Sequence, residues 1–474
     1  MAARAPHPHI VILPFPGQGH VKPMLILAEL LSRSSLAVTV VNTDHNHRRL
    51  VAGGGTDTAG GIDFLSIPDG LPPEHPRIGT SVADLLFSIP KFTKPIFKSL
   101  ISSMRRPPAC VISDAIMSFA IDVAGELGIP AMTFRVCSAA GCWINSHLQH
   151  LVEAGDIPVR EGSADMDSLL SFKIPGLENV IRRRDLPHIC RLSPDNPYLQ
   201  FEISQTSKSS KASALIINTF EELEAPIIAH LRSIFPAVYA IGPLHASLSS
   251  ISPNRRCSCS SSLIQTERTC MNWLDSQPSK SVLYISFGSL TELTREQLME
   301  FWHGIINSEK RFLWAIRPDL IIDEDEIPEE LKNSTKERGF MAGWVPQEEV
   351  LEHEAVGGFL THCGWNSTIE SISAGKSMLG WPCFVDQLVN SRCVEELWNL
   401  GIDIKDINDR STIERMVRNL MEGKQEHITK STAELARLAR DSVREGGSSH
   451  RNFMELVQAI RLLHSTKDCL QTRE

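Results

Sequence analysis

Residues 344–387 read WVPQEEVLEHEAVGGFLTHCGWNSTIESISAGKSMLGWPCFVDQ. Val356 to Thr361 is a short apolar run of strand length, and Met378 to Trp381 is a second. Between them, His362, Cys363, Gly364, Trp365, Asn366, Ser367 and Thr368 break the apolar run, and Ile369 to Ser373 opens a helix. Val350 to His353 forms a short helical turn upstream. Strand, loop, helix and strand in this order make a βαβ unit of a parallel sheet. In such sheets ligands bind outside the carboxyl ends of the strands, where this polar loop lies.

The residue types in the stretch suit a nucleotide diphosphate carrying a polar sugar. Glycine allows close backbone approach, and Asn366, Ser367 and Thr368 present donors. The N–H groups of the helix's first turn and its dipole favour an anion. The segment is a diphosphate cradle by mechanism, without the lysine of a P-loop; it also reads as an ordinary helix start capped by Asn366 or Ser367. His362 adds one donor toward phosphate. Glu370 can accept from ribose hydroxyls, or simply favour the helix dipole. Trp344 can stack on a flat base or sit in a core, as most indoles do. Val345 and Gln347 offer backbone and amide groups to uracil edges. Asp386 and Gln387 offer acceptors and donors to sugar hydroxyls; the Gln387 carbonyl and NH2 together can read two vicinal ones. A solvated loop would carry the same pair.

Working outward, the same grammar recurs. Val282 to Phe287 is a strand closed by Gly288 and Ser289, followed by a helix from Arg295 to Ser308 and a strand from Phe312 to Ile316. At the amino end, Ile10 to Leu13 runs into Phe15, Pro16, Gly17, Gln18 and Gly19, then a helix, then a strand from Val38 to Val41. His20 sits where that glycine turn meets the helix. It is either a capping or core histidine or a group placed for chemistry at a strand end. The GQGH run lacks the third glycine of a dinucleotide fingerprint. Ala109 to Ser113 is another buried strand, ending at Asp114. Asp114 is an N-cap for the following helix, or the carboxylate that orients a catalytic imidazole and stabilises its charged form. Ala139 to Leu151 is helical, and Phe220 to Ala229 is a helix kinked or shortened by Pro226. The run Arg182 to Arg184 reads as solvated loop. Two halves with one βαβ grammar imply two α/β domains facing across a cleft, the default ligand site. The serine-rich stretch 246–269 reads as the linker between them.

Composition excludes several classes. A chain of 474 residues exceeds one ordinary core. A net charge of -9 gives no nucleic-acid surface. The eleven cysteines are scattered, and Cys257 and Cys259 have no second pair at zinc spacing, so reduced thiols and a cytoplasmic protein are expected. The Ile10 to Pro16 run is too short for a signal peptide, and no stretch reaches the length of a membrane helix; the sequons at Asn333 and Asn366 therefore carry little weight. Asp323 and Asp325 form a DxD spacing, but in an acidic run that reads as solvent-facing.

The WVPQ, THCGWNSTIESISAG and WPCFVDQ segments closely resemble the signature box of plant small-molecule UDP-glycosyltransferases, glycosyltransferase family 1. GQGHVKP, VISDA and ISFGS extend the resemblance over the whole chain. It implies the GT-B fold, two Rossmann-like domains around a cleft. The expected layout is an acceptor-binding domain over 1–245, a linker over 246–269, a UDP-sugar-binding domain over 270–450, and a C-terminal helix over 451–474 returning to the first domain. By resemblance His20 is the general base and Asp114 its partner. Ser289, His362, Asn366 and Ser367 contact phosphate, Trp344, Val345 and Gln347 uracil, Glu370 ribose, and Trp365, Asp386 and Gln387 the sugar. A final glutamine goes with glucose. The reaction implied is inverting transfer from UDP-glucose, a co-substrate, with no metal and no cofactor, to a hydroxyl or carboxyl of a small lipophilic acceptor. Phe15, Met117, Val136, Trp143 and Phe384 are the expected lining, and residues 134–144 resemble relatives acting on terpenoid-like aglycones, including iridoids, which favours a terpenoid over a phenolic. Where relatives carry a threonine or serine after Phe134, this chain has Val136, then Cys137 and Ser138. A monomer is expected. The alternatives are another UDP-sugar (galactose, xylose or glucuronate) and a non-catalytic small-molecule binder.

Overall fold

The computed structural model describes residues 7–52, 61–77, 79–251, 266–317, 320, 338–423 and 425–471. The chain packs as two compact units. One comprises Met1–Ser146, Gln200–Ile264 and Asp441–Glu474; the other comprises His147–Leu199 and Gln265–Arg440.

The first unit holds β1 (His9–Leu13), β2 (Ala37–Thr43), β3 (Ile62–Ile67), β4 (Cys110–Asp114), β5 (Ala131–Arg135), β6 (Ala214–Ile217) and β7 (Val238–Ala240). They form one sheet in the order β3-β2-β1-β4-β5-β6-β7, and every pairing is parallel. The central strands read as continuous apolar runs because both faces are covered. Ile10 and Ile12 pack with Met24, Leu27 and Leu31 of the helix Gln18–Arg33. Val11 and Leu13, pointing the other way, pack with Phe97 and Phe119. The helix Ser448–Gln471 covers the first of these faces with Leu456, Val457 and Ile460, and Asn452 Nδ2 donates to Ala240 O at 3.0 Å.

The second unit holds β8 (Val282–Ser286), β9 (Arg311–Ala315), β10 (Gly339–Ala342), β11 (Val356–Thr361), β12 (Ser377–Gly380) and β13 (Gly401–Asp403), in the order β10-β9-β8-β11-β12-β13. Again every pairing is parallel. Leu283 and Ile285 anchor a core with Trp302, Trp314, Leu360 and Leu379. The two units are Rossmann-like and together constitute the GT-B fold. In each sheet the chain direction of winding reverses beside its first strand, between β1 and β4 and between β8 and β11. Registers Leu13↔Ser113 and Ser286↔Thr361 bring the carboxyl ends level at both points.

Residues 147–199, grouped with the first half in the sequence reading, pack with the second sheet. Arg182, Arg183 and Arg184 are not a solvated run: their pairs tie the segment together, and Arg184 with Asp406 and Asp185 with Lys405 link it to the residues around the second sheet. Arg182 Nε pairs with fully buried Asp185 at 2.9 Å, Arg183 Nη2 with fully buried Asp156 at 2.9 Å, and Arg184 with Asp167 at 2.9 Å and Asp406 at 3.2 Å. Lys405, also buried, reaches Asp185 and Asp403. Of the expected linker, the helix Leu244–Ile251 precedes residues 252–265, which lie outside the described residues, as do Cys257, Cys259, Asp323, Asp325 and Asn333.

Candidate active site

In the first unit, β1 delivers Phe15, Pro16 and Gly17 to the sheet's carboxyl edge, and the helix begins at Gln18. His20 therefore lies inside the first helical turn rather than ahead of it. Its backbone N–H and that of Val21 both donate to Gly17 O. The imidazole Nδ1 donates to Asp114 Oδ2 at 2.7 Å, with the His20 side chain 22% exposed and that of Asp114 2%. Asp114 Oδ1 accepts from Ile116 N at 3.0 Å. Asp114 thus makes two contacts, one with each oxygen: it caps the turn that follows β4, and it accepts from the imidazole. With Nδ1–H directed at a carboxylate, the neutral ring presents Nε2 as a proton acceptor, and the carboxylate stabilises the imidazolium that would form. Phe15 packs edge-on against the ring, centroids 5.1 Å apart.

The expected acceptor lining is only partly assembled. Phe15 adjoins His20, and Val136 is half-buried against the core. Met117 is enclosed in the core, and Trp143 stacks on His230 at 5.3 Å with planes 8° apart. Phe384 belongs to the second unit. Ser138 does not offer a hydroxyl in place of the missing threonine: it is fully buried, and its Oγ accepts from Gly141 N at 3.0 Å as the cap of the helix Ala139–Asn145. The same helix start is held by Glu224, whose carboxylate accepts from Ala139 N and Ala140 N at 2.9 Å and from Thr219 Oγ1 at 2.7 Å. Burial pushes the Glu224 carboxyl above its usual range. Glu224 itself has non-helical angles, φ -132° and ψ 25°, two residues before Pro226, which places the expected kink.

In the second unit the loops after β8 and β11 meet. His362 is buried, and its Nε2 lies against Gly288 and Gly364: a Cβ at those glycines would come within 2.3 Å and 2.5 Å of it. Burial lowers the imidazole pKa to about 4, with the Ser286 backbone opposing and the Arg317 charge adding to the shift. His362 is thus a neutral ring at neutral pH, able to offer a single N–H but no charge. Cys363 takes φ 58°, which swings the chain into the helix Trp365–Ala374. That helix has Gly364 at its cap position with no side-chain cap bond. The reading of Asn366 or Ser367 as the cap is therefore corrected: Gly364 holds the cap position, and both lie inside the helix's first turn. Ser289, half-buried, follows Gly288 at the same edge.

Gln347 behaves differently from its expected role. Its Nε2 donates to Glu370 Oε2 at 2.7 Å and to Ser367 Oγ at 3.0 Å, and its Oε1 accepts from Tyr284 at 3.0 Å. Both amide hydrogens are thus committed within the protein, so the side chain does not read uracil as a donor. Trp344 is half-buried, and its backbone oxygen accepts from Glu267 N at 2.5 Å, while Glu267 Oε2 accepts from Gly343 N at 3.0 Å. Val345 is buried. Trp365 is buried beside Trp398, centroids 5.9 Å apart. Gln387 Oε1 accepts from Cys383 N at 2.9 Å and Phe384 N at 3.1 Å. Both lone pairs of its carbonyl hold its own loop, so it can address a sugar hydroxyl through its NH2 and not through the carbonyl. Asp386 Oδ2 accepts from Asn390 Nδ2 at 2.9 Å, and the same amide donates to Cys363 O at 3.0 Å. Asn390 was not singled out in the sequence; its i,i+4 spacing from Asp386 was the available signal. Tyr284 carried none, reading as one more apolar member of β8.

Among the described residues no group of His, Cys, Asp and Glu is placed to hold a metal ion, and no helix is long and apolar enough to cross a membrane. Residues 109–442 match the family described as UDP-glucoronosyl and UDP-glucosyl transferase. The chain is 46% identical to 7-deoxyloganetic acid glucosyltransferase of Catharanthus roseus, over 96% of this chain and 98% of that one. It is 41% identical to a myricetin 3-O-rhamnoside 1,2-glucosyltransferase of Crocosmia x crocosmiiflora, over 98% of each. Among solved structures it resembles Medicago truncatula UGT71G1 complexed with UDP-glucose, at 27% identity and a TM-score of 0.78, over 96% of this chain and 98% of that one.

Proposed function

Because this chain belongs to the UDP-glycosyltransferase family and is therefore a transferase that uses a UDP-sugar, we propose that it moves glucose from UDP-glucose to a hydroxyl or carboxyl of a terpenoid acceptor, giving a β-glucoside. The observation that carries the catalytic reading is the 2.7 Å bond between His20 and buried Asp114. A pure binder has no need of a base with a dedicated orienting carboxylate. His20 Nε2 takes the acceptor hydroxyl proton as that oxygen bonds to the anomeric carbon, and the bond from that carbon to the diphosphate oxygen breaks. The electron pair leaves on UDP. Its charge meets the N-terminus of the helix Trp365–Ala374, the His362 ring and Ser289, with Asn366 and Ser367 beside them. Trp344 and the Val345 backbone take the uracil, Glu370 the ribose, and Asp386 with the Gln387 NH2 the glucose, with Trp365 packed beneath. A carboxyl acceptor would attack as its carboxylate without a base.

Glucose is favoured by Gln387. The terpenoid preference is supported by the Catharanthus roseus relative, whose name gives 7-deoxyloganetic acid as its acceptor. The cytosol is the compartment assigned, in keeping with buried cysteines such as Cys142, Cys270 and Cys363 that form no disulfide, and a monomer suffices. A panel of UDP-glucose, UDP-galactose, UDP-xylose and UDP-glucuronate against iridoid, other terpenoid and phenolic acceptors, read by mass, tests this. UDP-glucose with an iridoid-type acceptor should give the highest kcat/KM. Equal or better turnover with UDP-galactose would sink the glucose reading, and a phenolic at the top of the acceptor ranking would sink the terpenoid one.

A further inference from the structure

Tyr284 lies in the middle of β8, 1% exposed, with its ring stacked on Phe359 at 4.9 Å and 12° between planes. A tyrosine buried this way ordinarily has to find a partner for its hydroxyl. Here the partner is the side chain of Gln347, at 3.0 Å, and the hydroxyl donates to Oε1. That contact decides which way round the amide sits. With Oε1 toward the tyrosine, the NH2 is turned to Glu370 Oε2 at 2.7 Å and Ser367 Oγ at 3.0 Å. Reversing the amide would set a carbonyl oxygen against the buried Glu370 carboxylate. Without a fixed donor on Oε1, the two orientations differ only by what Glu370 and Ser367 impose, and the carboxylate loses part of what restrains it.

We propose that Tyr284 is a positioning residue for the donor ribose: through Gln347 it fixes the Glu370 carboxylate in the orientation that receives the ribose hydroxyls. The chain runs from the sheet core outward, from Phe359 to Tyr284 to Gln347 to Glu370, each link a stacked ring or a hydrogen bond. Tyr284 is 1% exposed and acts through Gln347. This inference rests on the assignment of Glu370 to ribose made above, and the test separates the two.

Tyr284→Phe keeps the stacked ring and removes only the hydroxyl, so the core is preserved. UDP, 2′-deoxy-UDP and 3′-deoxy-UDP are titrated calorimetrically into the wild-type protein, Tyr284→Phe, Gln347→Met and the double variant. The wild type should bind at least one deoxy nucleotide about tenfold more weakly than UDP, as expected for loss of a hydrogen bond to a charged group. Tyr284→Phe should weaken UDP about fivefold and that deoxy nucleotide by less than twofold. In the Gln347→Met background the tyrosine substitution should add nothing further. In turnover, KM for UDP-glucose should rise about fivefold while kcat stays within twofold. A wild type that does not distinguish UDP from either deoxy form overturns the ribose assignment of Glu370. A wild type that does distinguish them, with Tyr284→Phe weakening all three equally, weakening none, or adding its effect on top of Gln347→Met, overturns the positioning role of Tyr284.

Discussion

Each unit sets a histidine at the carboxyl edge of its sheet, beside the strand where the winding reverses, and the two have opposite chemistry. His20 follows the first strand of its unit and finds a carboxylate at the end of the neighbouring strand, 2.7 Å away, with its side chain 22% exposed. His362 follows the neighbouring strand of the other sheet and finds two glycines at that edge, with burial lowering its pKa to about 4. The backbone frame is the same, so the difference lies in the residues facing the ring. A carboxylate gives an imidazole somewhere to hold positive charge, which suits the base role proposed for His20. Burial against glycine backbone keeps the ring neutral, which suits the donor role proposed for it at the leaving diphosphate, since a ring that titrated during the reaction would compete for the proton.

The comparison breaks most visibly if the two histidines are exchanged in role. His20→Ala should lower kcat by about a thousandfold, within the range for loss of a general base, while calorimetric affinity for UDP stays within twofold. Asp114→Asn should lower kcat less, by about a hundredfold, because the ring remains but loses the charge that steadies it. If UDP affinity fell as far as turnover in His20→Ala, the base would belong elsewhere.

The second test concerns stability and touches only His362. The free imidazole titrates near 6.5, while in the fold burial lowers that to about 4. Between these values the unfolded chain takes up a proton that the folded chain refuses, so stability is lost as pH falls through this window and is complete above it. The loss amounts to at most about 3 kcal/mol. Glu224, whose carboxyl is raised by burial, contributes with the opposite sign, so the contrast must be taken against His362→Gln. Denaturant unfolding at pH 7 and pH 4.5 should show the wild type losing about 2 kcal/mol more than the variant. Equal losses would mean that the ring is solvated or charged in the fold.

Much of the frame on which this contrast rests is legible in the sequence. The central strands of both sheets read as unbroken apolar runs because helices cover both faces, and Val356–Thr361 falls where the run begins and ends. Elements with mixed burial did not stand out. Ile62–Ile67 lies at the sheet edge with a mostly exposed middle, the helix Asp84–Ser103 carries Pro90 and Pro95, and Gly401–Asp403 is three residues long. The two residues His20 and Asp114 are placed at strand ends by the sequence, but their contact depends on the β1–β4 register, which no local pattern encodes. Orientation was the least accessible property. Nothing in WVPQ says that the Gln347 amide turns inward to Glu370, or in FVDQ that the Gln387 carbonyl closes its own loop. Both are decided by partners far away in sequence or by the exact path of a turn. The Arg182–Arg184 run misled for the same reason, since Asp156 and Asp406 are brought to it only by folding.

The smallest expected effect is also the most direct probe of what faces each ring, because it adds one methyl group at matching places. Gly17 precedes the helix that carries His20, has an ordinary φ of -87°, and a Cβ there would lie 3.4 Å from the His20 ring and 3.6 Å from Phe15. Gly288 occupies the corresponding loop of the other unit with φ +75°, and a Cβ would fall 2.3 Å from His362 Nε2. The first contact asks for an adjustment of a few tenths of an ångström. The second forces the imidazole out of its pocket and adds the strain of a left-handed backbone at a residue with a Cβ. Gly288→Ala should therefore weaken UDP binding about tenfold, and Gly17→Ala should leave UDP binding unchanged and kcat within threefold. The pair of affinities and the pair of turnover numbers, measured with one acceptor, separate steric displacement at the phosphate from disturbance at the base. An equal loss of UDP affinity in both variants would show that the glycines share one structural duty, and that the neutral character of His362 does not depend on the close approach of Gly288.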